Sequence, residues 1–322
     1  MMNLAFAGFR HGHIFVLYDM ASKSADVNIA GCFEENDVER KNIADVNGID
    51  FNYDSYEAIL SDDSVDAVAI GDYYGKRGKM VIDALKSGKH VICDKPLCTS
   101  LEELDEIEKL VEHTGLKVSC MLDLRYMPQV ETVKRLIEQG TIGRVVNVSF
   151  TGQHCLNYGS RPGWYFEDGK HGGTINDISI HGVDLIRYLT GKNLTKVNWA
   201  RTWNAFADKE PGFKDCGQFA AELEDVALLV DVSYAAPKFC GALPTYWDFY
   251  LWGTEGMINF RYSENVVHLY KETEEVISCD VSDMDYLKDF INEINNKPAT
   301  VDTKETLKTQ RQVLTIQKTA DC

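Results

Sequence analysis

Two carboxylates, an imidazole and a phenol recur at helical spacing within residues 172–191. They belong to Asp177, His181, Asp184 and Tyr188, and at about 100° per residue they fall on one stripe of a helix. A solvated helical face more often carries lysine and glutamate, so this composition is unusual for a surface. A carboxylate one turn from an imidazole can orient the ring and fix its tautomer. The pattern therefore predicts a proton-transfer residue at His181, oriented by Asp177.

The whole segment is predicted to be one helix that follows a glycine pair and ends at Gly191. Thr174 or Asn176 is the expected N-cap, because a short polar side chain accepts from the unpaired backbone donors of a first turn. Two other interpretations stay open from the helix alone. One is an exposed helix whose Asp–His pair has no function, and the other is a metal site, since aspartate and histidine one turn apart can share an ion.

The elements that must position these residues begin with alternating strands and helices. Short apolar runs predict strands at 4–7, 27–33, 67–70, 90–93 and 118–122. Amphipathic runs between them predict helices at 12–23, 38–46, 79–86 and 101–113. This alternation predicts βαβ units, and the continuously apolar strands predict a parallel sheet covered on both faces.

A glycine after the first strand lies where a dinucleotide-binding fold places the pyrophosphate, on the N-terminus of the next helix. The loop consists of Gly8, Phe9, Arg10, His11, Gly12 and His13, and all six are predicted to contact the cofactor. Only Gly8 matches the G-x-G-x-x-G fingerprint, since Arg10 and His13 take the other two glycine positions. Arg10 could supply a charge-assisted contact to the phosphate or could block it. A plain strand–turn–helix is the alternative.

Two acidic residues, Glu34 and Glu35, follow the second strand. An acid at this place accepts from the ribose hydroxyls and repels a 2′-phosphate, which favours NAD over NADP. The position directly after the strand could instead be that of Phe33. The alternative is that both glutamates are solvated in a loop.

Lys95 follows the strand 90–93 and lies between Asp94 and Pro96. The C-terminal edge of a strand is the ligand side of an open α/β sheet. Lys95 could therefore hold a substrate hydroxyl or shuttle its proton. A surface lysine in a loop is the alternative.

Composition excludes several classes of partner. The net charge of −17 argues against nucleic acid and anionic membrane surfaces, which need basic patches. We find no apolar run long enough to cross a bilayer and no basic segment of a signal peptide at the N-terminus. The nine cysteines are scattered without a C-x-x-C pair, which predicts reduced thiols in a cytoplasmic protein.

Alternating strands dominate after residue 145. They are predicted at 145–152, 195–204, 221–233, 246–252, 257–262 and 266–271, with amphipathic helices at 283–295 and 305–319. His154, Tyr158, Arg161 and Trp164 follow the first of these strands. Aromatic and hydrogen-bonding side chains suit a sugar or polyol, stacked on its ring and bound at its rim. A loop that covers the core is the alternative.

Several motifs resemble one family in order along the chain. Asp94-Lys95-Pro96 resembles the E-K-P motif of the glucose–fructose oxidoreductase / inositol dehydrogenase (Gfo/Idh/MocA) family, and 172–184 resembles its G-G-x-x-x-D-x-x-x-H-x-x-D motif. Arg125-Tyr126, Arg161-Pro162-Gly163-Trp164 and Trp252-Gly253-Thr254 also fit the family's order. The resemblance covers nearly the whole chain.

The resemblance implies an α/β fold class. An N-terminal Rossmann dinucleotide-binding domain would span 1–122, and a C-terminal α/β domain with a large open, mostly antiparallel sheet would span 123–322. The terminal helix 303–319 would pack back on the first domain. Because the family's open sheet often mediates oligomers, a homodimer or homotetramer is expected.

The resemblance also implies the roles of residues. Lys95, Asp177 and His181 would be catalytic, and no metal is expected. The expected substrate contacts are Arg125, His154, Tyr158, Trp164, Asp177, His181 and Asp184. The cofactor would be NAD, with NADP less favoured, and Pro96 and Asp94 would lie beside it.

Three departures from the family pattern qualify the cofactor site. The glycine loop is degraded, Asp94 replaces the usual glutamate, and Asp72-Tyr-Tyr-Gly-Lys-Arg77 stands where the family commonly shows T-P-x-x-x-H along the cofactor. The predicted function is an NAD-dependent oxidoreductase of a hydroxyl on a sugar, inositol or related polyol. Alternatives are an NAD-dependent glycoside-cleaving enzyme on the same scaffold, and a non-catalytic sensor of NAD or sugar.

Overall fold

The computed structural model describes residues 1–237, 243–279 and 284–322. Contacts among them divide the chain into two compact units. Unit 1 comprises Met1–Met121, Gly169–Gly172 and Asp285–Gln310, and unit 2 comprises Leu122–Asp168, Gly173–Met284 and Arg311–Cys322. The N-terminal unit thus ends beside the expected boundary, but it also takes up two later pieces of chain.

Unit 1 is built on a parallel five-stranded sheet in the order β2-β1-β3-β4-β5. Its strands are β1 (Met2–Ala7), β2 (Val27–Phe33), β3 (Ala67–Ile70), β4 (His90–Cys93) and β5 (Val118–Cys120). All four residues of β3 are buried, which agrees with a sheet covered on both faces. The predicted parallel sheet is confirmed.

Helices follow or precede these strands. Those of unit 1 are α1 (His13–Lys23), α2 (Asp37–Asn47), α3 (Tyr56–Ser61), α4 (Tyr74–Lys86), α5 (Leu101–Thr114) and α8 (Tyr286–Ile294). Helix α3 was not predicted, because it is too short to show a helical period, although Ser55 caps it by accepting from the Ala58 amide. The predicted start of α4 is five residues late, because the first turn of α4 carries little apolar periodicity. For α8 the predicted start, Asp283, lies outside the described residues.

Unit 2 contains an eight-stranded sheet in the order β13-β12-β11-β10-β6-β9-β8-β7. The strands are β6 (Val145–Cys155), β7 (Leu194–Trp203), β8 (Cys216–Leu223), β9 (Val226–Ala236), β10 (Asp248–Gly253), β11 (Met257–Arg261), β12 (Val266–Tyr270) and β13 (Glu274–Ser278). Among the described strands of this sheet, β6 and β9 pair in parallel and the other neighbours are antiparallel. The expected open, mostly antiparallel sheet is confirmed.

One predicted strand of unit 2 is wrong. Residues 221–233 are not a single strand, because β8 and β9 form an antiparallel hairpin that turns at Glu224 and Asp225. Glu224 takes the left-handed conformation with φ of 56°, which suits a tight turn. The alternating apolar residues on both sides of this turn had concealed it. Strand β13 was not predicted, since its residues are mostly exposed.

The described helices of unit 2 include α6 (Pro128–Glu138) and α7 (Ile180–Thr190), which contains His181, and the last described helix is α9 (Thr303–Asp321). The first residues of α9 belong to unit 1, where Thr303 Oγ1 accepts from the Val118 amide and Gln310 Oε1 accepts from the Leu97 amide. Among the described helices, none is long and apolar enough to cross a membrane. The eight described cysteines are free, and seven of them are buried.

Candidate active site

In unit 1, four strands end at one edge of the parallel sheet and place candidate residues there. Gly8 follows β1, Glu34 follows β2, Asp72 lies two residues after β3, and Asp94-Lys95 follows β4. Backbone hydrogen bonds tie these ends together: the Gly8 amide donates to Phe33, the Arg10 amide to Gly71, and the Asp94 amide to Ile70. The strands are parallel, but β2 lies on one side of β1 and β3 on the other, so the chain connections change direction at β1. Ligands of open α/β sheets bind outside the carboxyl ends of the strands at such a point.

Gly8 is the one position of the loop where glycine is required. Its φ is +79°, and a Cβ built there would lie 2.7 Å from the Asp72 backbone nitrogen. A side chain would therefore clash with the loop after β3, in addition to the strain of a left-handed backbone. The first glycine of the fingerprint is retained because two loops meet there.

The N-terminus of α1 is suited to a phosphate. The helix begins at His13 after Gly12, and its first turn contains no acidic residue. Within the part of the chain that the structure describes, no side chain caps that turn. Backbone N–H groups and the helix dipole at such a terminus favour an anion. The residues therefore fit the pyrophosphate of a dinucleotide.

Glu34 lies directly after β2, at the place of the ribose-binding acid. Its carboxylate accepts from the Phe9 amide at 2.7 Å and from the Asn36 amide at 3.0 Å, and Arg10 Nη1 lies 3.6 Å away. Burial raises the pKa of Glu34, although both amides oppose the shift. Glu35 is instead exposed and binds Lys76. Phe33 is the last residue of β2, so the position directly after the strand is that of Glu34.

Asp94 is the centre of a buried charged cluster. Its Oδ2 lies 2.7 Å from His11 Nδ1 and 3.1 Å from Arg77 Nη2, and its Oδ1 lies 3.4 Å from His13 Nδ1. Burial opposes ionisation of Asp94, but Arg77 and the histidines outweigh it and hold its pKa well below the usual range. Burial lowers the pKa of His11 to about 4, so a neutral His11 donates from Nδ1.

The same cluster contains three possible metal ligands. The ligand atoms of His11, His13 and Asp94 lie within 4.8 Å of one another, which matches the composition of a metal site. The buried guanidinium of Arg77 already neutralises Asp94, however, and a divalent cation would be repelled by it. Among the described residues, Asp177 and His181 belong to no such three-ligand group.

Lys95 and Asp72 complete the edge of the sheet. Lys95 is buried, its Nζ lies 5.9 Å from the centroid of the Tyr74 ring, and its carbonyl oxygen accepts from Arg77. The carboxylate of Asp72 accepts from the Tyr73 amide and lies 3.0 Å from Lys76 Nζ. The predicted interpretation of Lys95 as a loop surface residue is wrong, because its side chain is only 4% exposed. Arg77, which holds both loops, was not singled out from the sequence.

In unit 2, the predicted helix 174–190 is not uniformly α-helical. Residues Ile175–Ser179 form a π-helical turn, and α7 begins only at Ile180. Thr174 donates its hydroxyl to the Lys214 carbonyl, and no side-chain cap is found among the described residues at this end. The predicted capping by Thr174 or Asn176 is therefore wrong. A π turn inserts one residue relative to an α-helix and rotates the residues before it, so the predicted single stripe does not hold.

Asp177 is buried and held by a phenol. The hydroxyl of Tyr234, at the end of β9, donates to Asp177 Oδ2. Burial raises the pKa of Tyr234 well above its usual value, so the phenol keeps its proton and serves as a donor. The Arg161 guanidinium lies 5.1 Å from the Tyr234 ring. Tyr234 was not among the predicted site residues, although its alternation with Val232 and Val230 in β9 indicates that it faces inward.

His181 is buried beside a carboxylate that was not expected. Its Nδ1 lies 3.1 Å from Oδ1 of Asp123, which is in the short 3₁₀ turn Asp123–Tyr126 after β5. The Trp247 ring packs edge-on at 5.8 Å. Asp123 is thus the carboxylate beside Nδ1, and the orientation of His181 by Asp177 stays a prediction. Nothing in the local sequence of α7 indicates Asp123 as a neighbour.

Two predicted substrate residues form a pair of their own. Both carboxylate oxygens of Asp184 accept from the guanidinium of Arg125, and both side chains are buried. The Arg125 guanidinium also lies 5.1 Å from the Tyr188 ring. This bidentate geometry is typical of a structural ion pair. Arg125 and Asp184 are thus engaged with each other, and their contact with a substrate stays a prediction.

The remaining predicted substrate residues differ in their exposure and in their neighbours. Trp164 is 2% exposed and packs on Tyr165 with ring centroids 4.1 Å apart, and its contact with a substrate stays a prediction. Tyr158 is exposed and contacts Phe166. His154 packs against Trp247 at 5.4 Å, and Trp247 thereby lies between His154 and His181. Trp247 was not singled out, because a single tryptophan in a strand pattern resembles ordinary core.

Comparison with known proteins covers both units. A family model described as an oxidoreductase family with an NAD-binding Rossmann fold matches residues 3–122, and the GFO/IDH/MocA C-terminal domain model matches residues 130–259. Scyllo-inositol 2-dehydrogenase (NAD(+)) of Bacillus subtilis is 35% identical over 147 residues, covering 45% of this chain and 41% of that protein. Levoglucosan dehydrogenase of Pseudarthrobacter phenanthrenivorans is 29% identical over 150 residues, covering 45% and 38%.

The aligned regions thus span about four-tenths of the length of these curated relatives. A solved structure from Erwinia carotovora atroseptica covers 99% of both chains with a TM-score of 0.88 and 22% identity. At that identity the likeness concerns the fold alone.

Proposed function

The chain belongs to the Gfo/Idh/MocA family of oxidoreductases, and from this membership we propose that it is an NAD-dependent oxidoreductase. Its substrate is a hydroxyl or carbonyl group of a sugar, an inositol or a related polyol. The observation that carries the proposal is the carboxyl edge of the unit 1 sheet, where Gly8, Glu34 and Lys95 lie at the ends of three strands. The names of the relatives support the substrate class.

The roles of the protein residues follow from their chemistry. When bound, the nicotinamide of NAD accepts a hydride from the carbon of the alcohol. We assign His181 to the proton of the hydroxyl group, as general base in oxidation and general acid in reduction. We assign Lys95 to donating a hydrogen bond to the reacting oxygen, which stabilises the negative charge that develops there. Asp177, fixed by Tyr234, would orient the substrate.

The test is a turnover screen of the purified protein with NAD and with NADP against inositols, aldoses and anhydrosugars. We expect NADH formation with a carbonyl product for at least one of them. Release of a free sugar from a glycoside with no net NADH would indicate the glycoside-cleaving alternative. No turnover together with no binding of either cofactor would contradict the proposal and favour a sugar sensor.

Glu34→Gln is expected to weaken NAD binding by roughly ten- to a hundredfold, because charge-assisted hydrogen bonds to the ribose hydroxyls contribute about 1.5–3 kcal/mol. Calorimetry on cofactor-stripped protein measures the change. Glu35→Gln is the control: this carboxylate is exposed beside Lys76, so the affinity should stay within about twofold of the wild type. Equal effects of the two substitutions would contradict the assignment of Glu34.

We also propose a homodimer or homotetramer through the unit 2 sheet. A row of paired residues runs across one face of five strands, and it consists of Trp199, Ala220, Leu229, Ser149 and Tyr250. Trp199 is 44% and Leu229 is 52% exposed. Exposed apolar side chains in one patch are typical of an interaction surface.

The free thiols suit a reducing compartment, and we therefore propose a cytoplasmic location.

Leu229→Asp is expected to convert the oligomer to a monomer of 36.3 kDa, because a charge buried in an apolar interface is left unpaired. Size-exclusion chromatography with light scattering measures the mass. The control is Val38→Asp, which changes an equally apolar but 78% exposed side chain of α2 in unit 1 and should leave the mass unchanged. A monomeric wild type would refute the proposed assembly.

A further inference from the structure

We propose that Asp123 is the proton-release residue of this enzyme, passing to solvent the proton that His181 collects from the substrate. The inference rests on the proposed function, because alcohol oxidation delivers one proton to the base in every turnover. A buried base needs a route by which that proton leaves before the next turnover.

The geometry supplies one end of the route. Nδ1 of His181 lies 3.1 Å from Oδ1 of Asp123, an ion-pair distance once the ring is protonated. The His181 side chain is 4% exposed, whereas that of Asp123 is 51% exposed. The pair therefore connects a buried imidazole to water through a single carboxylate.

The other carboxylates near His181 do not offer this connection. Asp177 is 2% exposed and accepts from Tyr234, and Asp184 is 1% exposed and binds Arg125 through both oxygens. Each of these carboxylates is held by a buried donor. Asp123 is the one of the three that reaches the surface.

On the solvent side, Asp123 opens onto a cavity of about 470 Å³ in unit 2, lined also by Tyr126, Gln129, Tyr262 and Glu264. The cavity has room for several water molecules. Burial, with a smaller contribution from the Asp123 charge, raises the pKa of Tyr262. The phenol therefore stays protonated and does not compete with Asp123 for the proton.

The hydroxyl O–H bond breaks and its proton goes to Nε2 of His181, while the carbon gives its hydrogen as a hydride to NAD⁺ and the C=O bond forms. The imidazolium then releases the proton on Nδ1 to Oδ1 of Asp123, and the carboxylic acid gives it to water in the cavity. The sum is alcohol plus NAD⁺ giving carbonyl, NADH and H⁺, and it leaves His181 neutral with its proton on Nε2. After the product leaves, Nε2 gives that proton to water and Nδ1 takes one back from solvent through Asp123, which restores the starting Nδ1–H form with no net change in protons.

The kinetic test is Asp123→Asn, which keeps the size of the side chain but cannot accept the proton. In weak buffer we expect kcat to fall at least about tenfold with KM changed less than about twofold, and the solvent deuterium isotope effect on kcat to rise. Small diffusible bases such as imidazole should restore kcat as their concentration increases. A loss that no buffer restores, with an unchanged isotope effect, would show that Asp123 only orients the ring and would overturn the relay.

Glu264→Gln is the matched control, since it removes a carboxylate from the same cavity without touching His181. We expect its kcat to stay within about twofold of the wild type and to be independent of buffer. If Glu264→Gln reproduced the buffer-dependent loss, the general charge of the cavity, and not Asp123, would be responsible.

A second measurement does not require turnover. Nitrogen-15 NMR of histidine-labelled protein, assigned with His181→Asn, reports which ring nitrogen of His181 carries the proton. The relay requires the Nδ1–H tautomer in the wild type and a loss of that preference in Asp123→Asn. An Nε2–H tautomer in the wild type would overturn the relay. An inactive protein with the Nδ1–H tautomer would instead contradict the proposed function and leave the His181–Asp123 pairing supported.

Discussion

His181→Asn is expected to lower kcat for polyol oxidation by roughly 10²–10⁴-fold, with KM changed only a fewfold. Asparagine resembles the half of the imidazole that faces Asp123, so the buried site should stay filled. It cannot accept a proton at neutral pH, and the hydroxyl proton would then have to leave directly to water. Steady-state measurements of NADH formation on the best substrate give both constants.

His113→Asn is the matched control for this prediction. His113 lies exposed in the last turn of α5, and its substitution should leave kcat within about twofold of the wild type. A loss below about tenfold in His181→Asn would remove the acid–base role from His181. The proton would then have to be assigned to Lys95 or to the Asp177–Tyr234 pair.

Arg125→Met is expected to destabilise the protein by about 3–5 kcal/mol, because it leaves the buried carboxylate of Asp184 without its counter-ion. Both side chains are almost inaccessible, at 2% and 1%, and the pair is bidentate. The loss of the guanidinium contact with Tyr188 adds to the cost. Urea denaturation followed by circular dichroism measures the change in the free energy of unfolding.

The double variant Arg125→Met with Asp184→Leu shows whether the loss of stability comes from the unpaired carboxylate of Asp184. We expect it to recover much of the loss, because no buried charge is then left alone. Lys23→Ala breaks an ion pair whose lysine is 72% exposed, and it should cost less than about 1 kcal/mol. If Arg125→Met cost as little as Lys23→Ala, the buried pair would have no structural role and the predicted contact with a substrate would deserve renewed testing.

Much of the fold was predictable because its signals are local. The strands at 27–33, 67–70 and 90–93 match β2, β3 and β4 to the residue. A strand buried on both faces must be continuously apolar, and a loop with polar residues and glycine must end it. The hairpin of β8 and β9 was not predicted, because its turn consists of two acidic residues and contains no glycine or proline that would mark it.

The residue types of the candidate site were likewise visible in the sequence. Glycine after β1, an acid after β2 and lysine after β4 follow from the order of elements, because the carboxyl ends of parallel strands meet at one edge. Their presence predicted a dinucleotide site, and the fold that carries it is confirmed. The roles of Lys95, Asp177 and His181 stay predictions until the variants are measured.

Tertiary structure alone decided which groups are partners. Asp123 faces His181, Tyr234 donates to Asp177, and Arg77 neutralises Asp94. Each partner comes from a different element of the chain. The helical period used to align Asp177 with His181 also fails, because Asp177 lies within a π turn. The sequence by itself determined which kinds of side chain are present and where most strands and helices lie, because these features depend on neighbours in the chain. Packing decided which carboxylate lies beside which base, because that depends on contacts between residues that are far apart in the sequence.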